Sequence, residues 1–264
     1  MTASFRFATL VLLVTACRPD TPATEQATSP TVPTPAPSTP PPSAKAGPTD
    51  TLHLPGGQLV QLHPVSTATF AQLPTSKLPE MLNDSTAEHL ETTQGQVRRQ
   101  GLDLLLQPAQ GKVVKLSSTP EAEFTLQNGE AVRYQYWGSL PAAHQWVVRA
   151  WYWEASGTVL VDQRTGRSVE LIGDPVASPD GKLVLLTSPG LSGGDQANAL
   201  GLVQIGADGP HQLWQREPTT WEPAEARWSS SNQVVLQLRH PDAEGIIAED
   251  APVTYAELTL PVAH

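Results

Sequence analysis

The sequence predicts an all-β protein of small, blade-like antiparallel sheets behind a disordered N-terminal stalk, and three observations point there. Apolar and polar residues alternate over short stretches beyond Thr51, which is the period of a strand with one buried face. Gly, Pro, Asn and Asp interrupt these stretches at turn spacing, each supplying dihedrals or side-chain bonds that close a hairpin. Between Ala131 and Leu260 the turns recur at an offset of roughly 45 residues, within the roughly 40 to 50 of blade-type repeats, and four short strands fit that length.

Composition bounds the function. The 264 residues are 39% hydrophobic and only 16% charged, with 26 prolines, many of them near the start. Beyond the stalk, roughly 200 residues remain, enough to bury a core. The formal net charge is −10 and the longest basic run is the pair Arg98-Arg99, so a phosphate-tracking stripe is absent and nucleic acid is excluded as a partner. A polybasic membrane contact is excluded for the same reason. Cys17 is the one cysteine, so no disulfide forms within the chain.

Residues 1–16 read as a signal peptide: a short n-region charged at Arg6, the apolar run Ala8-Thr9-Leu10-Val11-Leu12-Leu13-Val14, then small residues at Thr15 and Ala16. The run falls short of the roughly 20 apolar residues that span a bilayer as a helix. Val14-Thr15-Ala16-Cys17 resembles the lipobox of bacterial lipoproteins. That resemblance implies cleavage before Cys17, a diacylglycerol on its thiol and a mature chain starting there with several acyl chains, palmitate among them. Each buried methylene contributes roughly 0.8 kcal/mol, so two or more chains anchor a protein that one would hold only reversibly. Arg18 follows the cysteine, where an Asp resembles an inner-membrane retention signal in some bacteria; the expected location is therefore the cell envelope, at the outer membrane. An ordinary secretory signal with a coincidental cysteine is the plainer alternative.

Residues 17–50 carry Pro, Thr, Ser and Ala, with Val32 the single branched apolar residue of the stretch TSPTVPTPAPSTPPPSAKAGPT. Such a segment buries too little surface to fold. In an extended polyproline conformation of about 3.1 Å per residue it spans roughly 100 Å, the reach of a spacer. Pro30-Thr31-Val32-Pro33 and Pro37-Ser38-Thr39-Pro40 also have the form of a docking ligand, although the domains that read it are mainly intracellular.

Residues 51–120 are expected to supply N-terminal hairpins of the domain. Leu52-His53-Leu54 and Gln58 to Leu62 flank Pro55-Gly56-Gly57, and Leu102 to Gln107 and Lys112 to Leu116 flank Pro108-Ala109-Gln110-Gly111. Between them Ser85 to Thr92 fits one short helix capped by Asp84 or Ser85. Residues 121–264 carry the repeats. In the first copy Gly157 to Asp162 is a strand, Arg164-Thr165-Gly166 its turn and Ser168 to Ile172 its return; Ser178-Pro179-Asp180-Gly181 then leads into Lys182 to Thr187. In the second, Gly201 to Ile205 turns through Ala207-Asp208-Gly209-Pro210 into Gln212 to Trp214, and Ser229-Ser230-Ser231-Asn232 precedes Val234 to Leu238.

The stretch VLVDQRTGRSVELIGDPVASPDGKLVLL resembles the junction between blades of WD40-type and TolB-like β-propellers, where a strand ending in Asp, a Thr-Gly turn, a return strand and a Ser-Pro-Asp-Gly hairpin recur. The likeness covers about half of the chain and implies a partial or small propeller-like array. The Trp-Asp and Gly-His pairs of WD40 proteins are absent, Val161-Asp162 standing in for the first. Three blades can be drawn, Ala131 to Ile172, Val176 to Gln215 and Ala224 to Leu260, the last short of a strand, whereas a closed ring needs at least four. The two N-terminal hairpins either supply the rest or leave an open arc.

All seven tryptophans lie between Trp137 and Trp228. In a strand, Trp151 and Trp153 share a face with Arg149, an arrangement that binds a glycan or peptide by stacking and charge. The alternative is that the rings fill gaps between sheets. The seven histidines lack metal spacing, the acids sit mostly in turns without the calcium-loop pattern, and neither Gly-x-Ser-x-Gly nor a phosphate loop occurs, so no cofactor or metal is expected. Gly190 to Gly194 reads as a loop. The sequence thus favours a membrane-tethered, non-catalytic module that binds a protein, peptide or glycan or acts as a scaffold. An envelope-polymer hydrolase and a purely structural envelope protein are the alternatives.

Overall fold

The structure, a computed structural model, describes residues 50–54, 57–76, 78–81, 83–85, 87–191, 193 and 196–260. The leader, Cys17 and the stalk up to residue 49 lie outside the described residues, as do Ser192 and Gly194 of the predicted loop. The fold is all-β, in four antiparallel sheets.

Strands β1 (Asp50–His53) and β2 (Leu59–Pro64) form the first predicted hairpin, with Leu52 opposite Val60. A short helix α1 (Thr67–Ala71) follows, capped by the Ser66 hydroxyl, which accepts from the Thr69 N–H. The helix expected over 85–92 is instead one 3₁₀ turn at Leu90–Thr93. Sheet I comprises β3 (Val97–Gln100), β4 (Asp103–Leu106) and β5 (Val114–Ser117). Sheet II is β6 (Arg133–Leu140), β7 (Gln145–Trp151), β8 (Ser156–Asp162) and β9 (Ser168–Leu171). Sheet III is β10 (Asp174–Ala177), β11 (Leu183–Ser188), β12 (Ala199–Gly206) and β13 (Gly209–Arg216). Sheet IV contains β14 (Glu222–Trp228), β15 (Gln233–Arg239) and β16 (Val253–Thr259), and the strand that the third blade lacked comes from the chain's start: β2 pairs with β16, and β1 forms the rim.

The sheets stack in the order I, II, III, IV, and burial explains the sequence texture. Strands of the two inner sheets are covered on both faces, so they read as near-continuous apolar runs. Within β11, Leu183 and Leu185 face the core shared with sheet IV while Val184 and Leu186 face sheet II. In β7, Trp146, Val148 and Ala150 pack toward sheet I, and Val147 toward sheet III. Five of the seven tryptophans, Trp137, Trp146, Trp214, Trp221 and Trp228, are buried in these cores.

Three apolar cores join the four sheets in succession, and among the described residues none joins sheet IV to sheet I. Sheet IV is closed off by α1. Phe70, 5% exposed, stacks on Tyr255 at 4.8 Å, and the Arg227 guanidinium lies 4.1 Å from its ring. Phe70→Ala is expected to lower stability by about 3 kcal/mol, read by urea unfolding, because the ring leaves a cavity that a short helix cannot fill.

From α1 the chain returns to sheet I as a strap over the leading edge strands. Arg227 of β14 donates to the Phe70 carbonyl, the Trp137 indole of β6 donates to the Pro79 carbonyl at 2.7 Å, and Leu78 and Met81 pack into the core of sheets II and III. Gly138 leaves room for it, since a Cβ there would lie 2.8 Å from the end of the Leu78 side chain. The strap thereby covers edges that would otherwise invite pairing with another chain.

Candidate functional site

A cleft of about 590 Å³ opens where the strap meets sheets I and II. Its walls are Asp84, Ser85 and Glu88 of the strap, Arg99 of β3 with the following Gly101-Leu102 turn, and Ser118, Thr119 and Glu121 beyond β5. Arg133, Tyr134 and Gln135 of β6 and Trp151 at the end of β7 complete it.

Local hydrogen bonds fix each wall. The Tyr134 N–H donates to Ser118 Oγ at 2.9 Å and the Val132 N–H to Thr119 Oγ1 at 3.0 Å, which lashes the end of sheet I to β6. A register shift between Tyr136 and Gly138 accompanies a third contact, the Tyr136 N–H donating to Glu88 Oε1 at 2.6 Å. Arg99 grips the same carboxylate with two nitrogens, at 3.1 and 2.6 Å, and also donates to the Tyr134 carbonyl. Such a two-point pair sets both distance and plane. Arg133 lies 4.0 Å from the Phe124 ring centroid and bridges Asp84 and Glu121, carboxylates from two separate segments. Burial pushes the Tyr134 phenol above its ordinary range, and nearby Glu170 adds to this, so it stays a hydroxyl at neutral pH.

The three residues singled out from the sequence part company. Trp151 lines the cleft, its indole N–H donating to Gln135 Oε1 at 2.8 Å. Trp153 is 50% exposed and leans on Phe124, the ring beneath Arg133, at 6.0 Å. Arg149 is buried: it donates to Asp174 of sheet III at 2.6 Å and lies 4.0 Å from the Trp137 ring, with its Nε unpartnered. Its work is to join sheets II and III. Strand alternation did place Arg149 and Trp151 on one side, but the next sheet covers that side at Arg149.

The sequence reading missed Arg99, Arg133, Asp84, Glu88 and Glu121. The Arg98-Arg99 pair was the available signal, weighed only as a missing phosphate stripe. Histidine–acid pairs lie elsewhere and exposed, His211 with Asp208 at 2.9 Å and His89 with Glu91 at 3.2 Å. Among the described residues no group of three His, Cys, Asp or Glu is placed to hold a metal ion. Compared with known proteins, the chain matches no protein-family model, no curated protein and no solved structure.

Proposed function

We propose that this protein is an envelope lipoprotein whose β domain is a non-catalytic binding module, taking a peptide or glycan of its surroundings into the cleft beside Trp151. The cleft carries this reading: an aromatic surface, hydroxyls and internally paired charges meet in one cavity of about 590 Å³, within the roughly 300 to 1,000 Å³ of small-ligand sites. The tether rests on the signal-like residues 1–16 and the lipobox-like sequence ending at Cys17, which moor the domain at the outer membrane.

Two experiments test it. With labelled palmitate in growing cells, the native chain is expected to take up label and sediment with membranes, and Cys17→Ser to do neither; equal labelling of both rejects the anchor. In the purified full chain, the Trp151 indole N–H resonance reports on the cleft. Titration with a digest of the cell's own envelope polymers is expected to shift it saturably, and an unmoved signal rejects the binding site.

A further inference from the structure

The chemistry of the cleft narrows the ligand class, and this step rests on the cleft being the binding site. We infer that its ligand is an uncharged oligosaccharide, bound by stacking on Trp151 and by hydrogen bonds to the paired side chains around it.

The edge of β6 that borders the cleft is closed to an added peptide strand. A peptide that adds to a sheet edge needs free backbone donors and acceptors. Along β6 and the residue before it, the N–H groups of Val132, Tyr134 and Tyr136 are spent on Thr119 Oγ1, Ser118 Oγ and Glu88 Oε1. The carbonyls of Val132 and Tyr134 accept from the Thr119 N–H and from Arg99. Side-chain recognition is what remains.

The charges of the cleft are paired with one another. Both guanidiniums are already held, Arg99 by Glu88 and Arg133 by Asp84 and Glu121. An entering anion meets three carboxylates beside the two guanidiniums, and an entering cation meets carboxylates already shared with guanidiniums. Stripping water from an ion without supplying a fresh counter-charge is costly. A sugar hydroxyl, which donates and accepts at once, meets no such cost and uses the N–H groups and lone pairs that an ion pair leaves over.

With its N–H committed to Gln135, Trp151 offers carbon surface to the cleft, and Leu102, 47% exposed, adds more. The C–H face of a pyranose matches such a surface.

The test is a titration of the purified full chain, followed at the Trp151 indole resonance, with four probes of similar size. These are the N-acetylglucosamine tetramer, its de-acetylated cationic form, an anionic uronate-containing tetrasaccharide and a set of unstructured tetrapeptides. The neutral tetramer is expected to bind saturably and at least ten-fold more tightly than the charged sugars. Measured by calorimetry with the neutral tetramer, since these variants lack the indole, Trp151→Ala is expected to bind at least ten-fold more weakly and Trp151→Phe, which keeps a flat ring, to retain most of the affinity. If a peptide or a charged sugar saturates the Trp151 signal and the neutral tetramer does not, the cleft stands as a binding site and the glycan assignment falls. If no probe moves the signal, both fall.

Discussion

Replacing Asp162 by alanine is expected to destabilise the protein by about 4 kcal/mol, because one fully buried carboxylate satisfies a whole turn and its loss strands several donors at once. Asp162 accepts from the N–H groups of Arg164 and Thr165, both at 2.9 Å, from the Gln145 amide at 3.0 Å and from the Arg164 guanidinium at 2.8 Å. Arg164 also donates to the Gly206 carbonyl of sheet III at 2.9 Å, and the neighbouring carbonyls of Gln163 and Arg164 receive the N–H groups of Ala109 and Gln110 from sheet I. One aspartate therefore organises the point where three sheets meet. Urea unfolding at pH 7 measures the loss, and a difference below about 1 kcal/mol removes this account.

The same carboxylate gives stability a pH dependence of known sign. Burial alone raises its pKa, but the bonds from the Arg164 guanidinium, the Thr165 N–H, the Gln145 amide and the Arg164 N–H outweigh burial, so Asp162 titrates below the ordinary aspartate range. A carboxylate whose pKa is lower folded than unfolded stabilises the fold above its unfolded value, and that contribution disappears as pH falls through the folded value. The stability gap between the native chain and Asp162→Asn is thus expected to be widest at neutral pH and to close below about pH 4. A gap that stays constant down to pH 2 contradicts this.

Gly181→Ala is the second large effect. The glycine has φ +70°, and a Cβ placed there would lie 1.8 Å from the Ala142 carbonyl oxygen in the turn between β6 and β7. The left-handed conformation by itself costs an alanine roughly 1 to 2 kcal/mol. The collision adds more, since two stacked turns must separate; a fall in Tm of roughly 10 °C or beyond is expected. Gly95→Ala is the internal comparison, with φ +81° and nothing within 4 Å of the added carbon. It is expected to show the conformational cost alone. Equal losses in the two variants would mean that the turn contact does not matter.

These two residues sit where the sequence was most legible. Asp162 and Gly181 belong to the Thr-Gly and Ser-Pro-Asp-Gly turns, whose chemistry is local. In the latter, Ser178 Oγ donates to Asp180 Oδ1 at 2.8 Å, the Leu183 N–H donates to Ser178 Oγ and the Lys182 N–H to Asp180 Oδ1. Turn chemistry fixes a hairpin within a few residues, so β1 with β2, β4 with β5, β8 with β9 and β10 with β11 all follow from it. Strand β3, reading Val-Arg-Arg-Gln, has no apolar alternation to announce it and exists because β4 is there to pair with. Helix α1 was not anticipated from the sequence: its Ser66 cap is local, but a five-residue helix with two threonines needs Phe70 buried on sheet IV to persist.

What the sequence by itself determined was the all-β class, the hairpins, the three blade-sized repeats and the lipobox-like Cys17 ahead of a proline-rich stretch, because period, turn type and composition are properties of neighbouring residues. Only the tertiary structure decided that β2 completes a sheet begun some 160 residues later, that α1 covers sheet IV, and that Arg149 is buried between sheets while Trp151 meets Arg99 and Arg133 in a cleft. Those outcomes depend on which faces remain uncovered after the sheets have stacked. Such a remainder belongs to the whole chain and is written in no single stretch of it.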